Sequence, residues 1–198
     1  KTGSYEVFQN KGDGTFKQQE TIDLTSENSI HLLLVRDLNH DGSKDVLIVE
    51  QSSSSYTDSL SVILVHSDTS LEFRPKIPIE EGVIDINAND YNGDHIIDFV
   101  MSNKEDSTIS LLKGNGDGSF HKPERYYTKN SPGFIHTNDF NNDGYLDIVT
   151  TLNDSIGILT GAGNGKFSQP VVYNAGTDPM FMQSGDFVEV NFGIILDS

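Results

Sequence analysis

The chain has 198 residues, 13 basic against 30 acidic, a formal charge of −17, and neither Cys nor Trp. Zero Cys excludes a disulfide framework, thiolate catalysis and thiolate zinc sites, and the absence of a Lys/Arg stripe points away from nucleic acid. No apolar run is long enough to cross a bilayer, so membrane insertion is not expected, and an opening on Lys1 without Met or leader reads as a mature or excised piece.

Residues 1–25 place two extended runs, 5–9 and from Phe16 to near Leu24, on either side of Gly12-Asp13-Gly14. Such a turn needs positive φ and signals a hairpin. It reads as the second half of a repeat. Residues 28–79 form a full unit, with strands predicted at 31–35, 46–50, 60–65 and around 73–79. A Ser-rich exposed connection covers 51–58, and a turn lies at 67–70. Residues 80–128 repeat the order at 83–87, 99–102, 109–112 and 120–127, with a Gly-rich turn at 114–119. Residues 130–176 do so again at 134–137, 148–152, 156–160 and 167–173, with the turn at 161–166. The turn aromatics Phe16, Phe73, Phe120 and Phe167 stand 57, 47 and 47 residues apart. Each run is short, apolar, partly β-branched and bounded by turns, and no helical period appears. Residues 178–198 begin a further unit at Phe181, then lose the pattern, with Val188 and Val190 where Asn and Asp are expected. They read as a partial unit with a degenerate, metal-free loop, the alternative being an altered site from Asp186, Glu189 and Asp197.

Between the first and second strands of each full unit lies one nine-residue pattern. It appears as Asp139-Phe140-Asn141-Asn142-Asp143-Gly144-Tyr145-Leu146-Asp147, and again from Asp37 to Asp45 and from Asp90 to Asp98. Side-chain oxygens fall at positions one, three, five and nine: Asp37, Asn39, Asp41 and Asp45; Asp90, Asn92, Asp94 and Asp98; Asp139, Asn141, Asp143 and Asp147. Hard cations such as Ca²⁺ take six to eight oxygens, and alternating Asp and Asn in a tight loop supply them. Position seven, Ser43, Ile96 or Tyr145, is expected to add a backbone carbonyl. Position six is Gly42 and Gly144 in two loops and His95 in the third. His tolerates the left-handed region better than most residues, so the middle site is expected to be weaker but present. Three Ca²⁺ ions are therefore expected, cancelling six of the negative charges and stabilising the fold.

An EF-hand loop opens on the same run but needs Glu at position twelve and flanking helices. Here position twelve is Ile48, Met101 and Thr150, and the flanks are strands. Four-strand units repeating every 47 to 57 residues instead mean an all-β fold, a β-propeller of four-stranded antiparallel blades. All five segments belong to one such domain.

Two recurring features, the Asp-x-Asn-x-Asp-Gly-x-x-Asp loop and the Gly-Asn-Gly-Asp-Gly-Ser-Phe type of turn, make the chain resemble the FG-GAP/VCBS repeat family. These are calcium-bearing blades also found in integrin α-subunit heads. Nearly the whole chain takes part. Departures are the turn at 67–70, which lacks glycines, His95, and the lost final loop. The resemblance implies seven blades around a channel. The chain then reads as a segment of such a ring, the alternative being a ring of four closed by pairing 1–25 with 178–198. Open blade edges invite self-association.

The function expected is a non-catalytic binding or adhesion scaffold stabilised by Ca²⁺, with a protein or glycan ligand and an extracellular setting, where millimolar calcium fills modest sites. The alternative is a lectin-like propeller or the accessory domain of a carbohydrate-active enzyme. No catalytic residue is expected: the six His are scattered, no nucleophile or phosphate-loop motif occurs, and the suggestive Asp residues are committed to metal. Tyr56, Tyr126, Tyr127 and Phe181 are candidates for an exposed aromatic surface, against ordinary packing within the blades.

Overall fold

Alternation of apolar residues along short runs, punctuated by Gly, Asp and Pro, gives a chain built of antiparallel strands. The structure is a computed structural model that describes residues 4–10, 13–23, 29–51, 57–68, 70–176, 179, 181–185 and 193–197. Within these residues there is no helix, and so none long and apolar enough to cross a membrane. The predicted connection at 52–56 with Tyr56, and the degenerate loop at 186–192, lie outside the described residues.

A hairpin of β1 (Ser4–Asn10) and β2 (Phe16–Asp23) comes first. The first full blade is β3 (Ser29–Arg36), β4 (Asp45–Gln51), β5 (Asp58–Val65) and an outer edge divided into β6 (Leu71–Phe73) and β7 (Ile77–Ile79), both paired to β5. The sequence predicts one fourth strand there. Pro75, between the two pieces, has no N–H to give the ladder. The second blade is β8 (Val83–Asn89), β9 (Asp98–Asn103), β10 (Thr108–Leu112) and β11 (Glu124–Tyr127). The third is β12 (Ile135–Asn138), β13 (Asp147–Leu152), β14 (Ser155–Leu159) and β15 (Val171–Asn174). Phe120 and Phe167 do not open their fourth strands as expected. Each makes a single bridge, to Gly114 and Gly161, and the strand proper resumes just after Pro123 or Pro170. A last hairpin joins β16 (Phe181–Gly185) to β17 (Gly193–Asp197).

The blades stack face to face. Along β9, Phe99 and Met101 point into a core shared with Leu47, Val49, Leu60, Val62 and Leu64 of the first blade. The intervening Val100 joins Ile109, Leu111, Ile135, Ile148 and Leu159 in a core shared with the third. Every residue of β9 and β10 is buried, as expected for strands covered on both faces. The first strands adjoin one another in turn, β3 beside β8, β8 beside β12, and β12 beside β16. One strand from each blade thus lies in a single row, a propeller-like arrangement. The turn aromatics fill the gaps between blades. Phe120 lies 5.2 Å from Phe99, and Phe167 lies 5.9 Å from Tyr91 and 5.7 Å from Tyr126 (ring centroids). Among the described residues the end hairpins are separate two-stranded sheets.

Candidate metal-binding loops

Strand order puts three Asp-rich loops on one face of the blades. Residues 37–45 join β3 to β4, 90–98 join β8 to β9, and 139–147 join β12 to β13. All fifteen residues singled out in the sequence fall in these loops.

Each loop turns on two left-handed residues. One is position six, with φ of 87° at Gly42, 67° at His95 and 88° at Gly144. The other, which the sequence reasoning passed over, is position four, with φ of 59° at His40, 81° at Gly93 and 59° at Asn142. The middle loop has exchanged its residues, carrying Gly at four and His at six where the first loop carries His at four and Gly at six. The signal was legible, because His, Asn and Gly are types that tolerate this conformation.

The same hydrogen-bond network recurs in each loop. Oδ2 of the first Asp accepts the N–H of position six, at 3.2 Å from Gly42, 2.8 Å from His95 and 2.8 Å from Gly144. The Asn Oδ1 accepts the N–H of position five at 3.1, 2.8 and 2.9 Å in chain order. Its amide donates to Oδ2 of that Asp at 3.2, 2.9 and 2.9 Å. Oδ1 of position five accepts from the N–H of Ser43, Ile96 or Tyr145 at 2.7, 2.8 and 2.9 Å.

Position nine plays a different part. Asp45, Asp98 and Asp147 are fully buried. One oxygen of each accepts the N–H of position two, Leu38, Tyr91 or Phe140, at 2.7, 3.1 and 3.0 Å. The other accepts an N–H at or beyond the end of the third strand, from Val65, Gly114 or Gly161, at 2.9, 2.9 and 2.8 Å. One carboxylate thus ties the loop to the neighbouring turn of its blade.

Position seven completes that contact. Ile96 packs over Gly114 and Gly116, and the Tyr145 ring over Gly163, so tightly that an added Cβ at Gly163 would come within 2.1 Å of it. The first loop has Ser43 here, and its facing turn, 67–70, has no glycine. Glycines mark the turns that must admit a large side chain.

The loops are negative and sparsely countered. His66 Nδ1 lies 3.6 Å from Asp41, and His95 Nδ1 lies 3.7 Å from Asp90. Among the described residues the third loop has no ion pair. Burial raises Asp98 to about 6, with Asp94 and Asp90 adding to the rise against hydrogen bonds from Gly114 and Tyr91. Burial likewise raises Asp147, whereas the N–H of Ser43 lowers the exposed Asp41. Among the described residues no three acidic or imidazole side chains converge as a ready-made metal cage; the carboxylates are turned onto the N–H groups of their own loops. The donor set suits a hard cation, and Asp37 Oδ1 is buried with no hydrogen-bond partner.

Of the aromatic candidates, Tyr126 is packed in the core, its hydroxyl accepting the Phe167 N–H at 3.2 Å. Tyr127 is 66 % exposed.

Residues 90–150 match the FG-GAP-like repeat family. No curated protein sequence matches the chain. Among solved structures, one concerns specific recognition of non-reducing terminal N-acetylglucosamine by an Agrocybe aegerita lectin. It is similar at 18% identity with a TM-score of 0.57, over 87% of this chain and 46% of that one. The chain therefore spans about half the length of that lectin. The Photorhabdus luminescens Tc holotoxin pore aligns more loosely, at 14% identity and a TM-score of 0.44, over 98% of this chain and 12% of that one.

Proposed function

We propose that this chain is a run of calcium-stabilised propeller blades serving as a non-catalytic binding or adhesion scaffold outside the cell. The observation that carries the reading is the threefold recurrence of one oxygen-rich loop with one hydrogen-bond network. Asp37, Asn39, Asp41, Asp45 and the Ser43 carbonyl would hold the first ion. Asp90, Asn92, Asp94, Asp98 and the Ile96 carbonyl would hold the second, and Asp139, Asn141, Asp143, Asp147 and the Tyr145 carbonyl the third. Bound Ca²⁺ supplies the positive charge that these carboxylates lack, so its binding free energy adds to folding. Exposed apolar residues at the two outer faces of the stack, Leu33 and Val35 on β3 and Val171, Val172 and Tyr173 on β15, support self-association or pairing with further blades.

The test is thermal unfolding with Ca²⁺, with Mg²⁺ and with chelator, beside native mass spectrometry. Three ions and a calcium-specific rise in Tm are expected, two ions would mean that His95 disables the middle loop, and no calcium effect would sink the metal reading. A second reading, glycan binding by the scaffold alone or as an accessory domain of a carbohydrate-active enzyme, draws support from the likeness in fold to a lectin.

A further inference from the structure

Three Asn-Gly steps occur in the chain, at 92–93, 115–116 and 164–165. Such a step is chemically labile, because the nitrogen after Asn can attack the side-chain amide, and Gly has no Cβ to hinder the approach. The attack needs a backbone nitrogen free to give up its proton and a side chain free to swing over it. At two of the three steps the fold withholds both. In the second Asp loop, the Gly93 N–H is held by Asp90 Oδ1 at 2.7 Å. The Asn92 side chain is held at both ends by Asp94, through its N–H at 2.8 Å and its Oδ2 at 2.9 Å. In the turn of the third blade, Gly165 is buried and its N–H donates to the Tyr91 carbonyl at 3.0 Å. There Asn164 Oδ1 accepts the Lys166 N–H at 3.1 Å.

The turn of the second blade differs. Asn115 is exposed, and the Gly116 N–H donates to no group among the described residues. The Asn115 side chain is held only by its amide, which donates to Ser119 Oγ at 2.9 Å. We propose that Asn115 is a site of spontaneous deamidation, and that its conversion loosens the turn beneath the second Asp loop. The proposal depends on neither the calcium nor the glycan reading. The Gly116 nitrogen gives its proton to hydroxide and bonds to Asn115 Cγ. The Cγ–Nδ2 bond breaks, and the nitrogen leaves as ammonia with a proton taken from water. A second water opens the cyclic imide at either carbonyl, leaving aspartate or isoaspartate at position 115. The sum is amide plus water to acid plus ammonia, with nothing oxidised or reduced.

Isoaspartate routes the main chain through the former side chain, which adds a methylene between residues 115 and 116 and leaves a new carboxylate on the turn. The turn is closed on both sides of that step. The Asn115 N–H donates to the Ser119 carbonyl at 3.0 Å, and Gly114 is bridged to Phe120. Gly114 also gives its N–H to the buried Asp98 at 2.9 Å. Ile96 covers the turn so closely that its Cδ1 would lie 3.2 Å from a Cβ on Gly116. An extra backbone atom inside so short a closed ring must displace one of these contacts. The Asn side chain itself is not required, because the third blade carries Ala162 at the matching place in its turn.

The experiment is ageing of the folded full chain in mildly alkaline buffer, with peptide mapping by mass spectrometry at intervals and a parallel sample in concentrated urea. In the folded chain Asn115 is expected to convert at least about tenfold faster than Asn92 or Asn164, since neither of those reacts before a backbone hydrogen bond is broken. In urea the three rates are expected to converge. Conversion of Asn115 no faster than the other two in the folded chain would overturn the proposal. An equal spread of rates in urea would also overturn it, by putting the cause in local sequence alone. The aged chain is expected to unfold at a lower urea concentration than the fresh one, and Asn115→Ala is expected to age without that fall. An unchanged midpoint after full conversion, or an equal fall in Asn115→Ala, would overturn the effect on the turn.

Discussion

Gly161→Ala tests the tie between loop and turn more directly than any substitution in the loops. A Cβ at Gly161 would lie 2.1 Å from the Leu146 carbonyl oxygen, 3.1 Å from its carbon and 3.4 Å from Phe167 Cε1. The first two atoms are backbone and cannot swing aside, so the turn must retreat by roughly 1 Å to restore ordinary contact. Retreat stretches the 2.8 Å bond from the Gly161 N–H to the buried Asp147 carboxylate, a charge-assisted bond contributing about 1.5–3 kcal/mol. Overpacking strain adds about 1 kcal/mol or more. The expected loss is about 3 kcal/mol, a fall in Tm of roughly 6–12 °C for a chain of this size. Urea unfolding in chelator reads it without any contribution from metal. Gly144→Ala is the comparison. Its φ is 88° and nothing lies within 4 Å of the added Cβ, so it bears only left-handed strain of about 1–2 kcal/mol. A Gly161→Ala loss no larger than that of Gly144→Ala would refute the tie.

Replacing Tyr145 by Ser clears the ring from Gly163, so the loss caused by Gly163→Ala should shrink in the double variant, leaving the strain of its 69° φ, about 1–2 kcal/mol; urea unfolding of the four-member cycle reads the coupling, and strict additivity would disprove the contact. Asp45→Asn places an amide donor opposite one of two backbone N–H groups, Leu38 or Val65, and should cost about 1.5–3 kcal/mol by denaturant melts even in chelator. His95→Gly relieves a left-handed φ of 67° and should stabilise by up to about 1 kcal/mol, with a rise in calcium affinity measured by titration; weaker calcium binding would show that His95 helps the site. The pH response has opposite signs with and without metal. Burial pushes Asp98 up to about 6 in the metal-free fold, from an ordinary carboxylate value of 3.8, so the folded state holds its proton more tightly and metal-free stability falls as pH rises from ~4 through ~6. Calcium needs the ionised form, so the calcium-induced gain in Tm should shrink as pH falls below ~6. Melting curves at pH ~5 and ~7 separate the two, and parallel shifts in both conditions would contradict the assignment.

The blade pattern was legible because strands, turns and Asp loops recur in fixed order, and repetition turns weak local signals into a strong one. The middle loop was legible in part. The left-handed conformation expected at His95 is present, but the compensating Gly93 was visible only once position four proved to need the same conformation. Pro75, Pro123 and Pro170 interrupt the predicted fourth strands, because a missing N–H outweighs the β-propensity of its neighbours. The dual role of Asp45, Asp98 and Asp147 was hidden altogether. Their donors at Val65, Gly114 and Gly161 lie 14 to 20 residues further along, and no local pattern names a backbone N–H as the partner of a distant carboxylate.

The ties at position nine bear on how a metal ion in a surface loop would stabilise a whole blade. Each of these Asp residues opens the second strand of its blade and touches the end of the first through position two and the end of the third through the turn. An ion that fixes this carboxylate therefore fixes three of the four strands at that end. It also sets the turn whose aromatic, Phe120 or Phe167, fills the gap to the preceding blade. Calcium stabilisation is then expected to be cooperative between adjacent blades. Asp147→Asn in the third should loosen the second at the Phe167 contact with Tyr91 and Tyr126. Hydrogen exchange of β11 amides in that variant, in saturating Ca²⁺, is the readout. Faster exchange in β11 as well as in β13 is expected. Loss of protection confined to the third blade would mean that each loop stabilises only its own four strands.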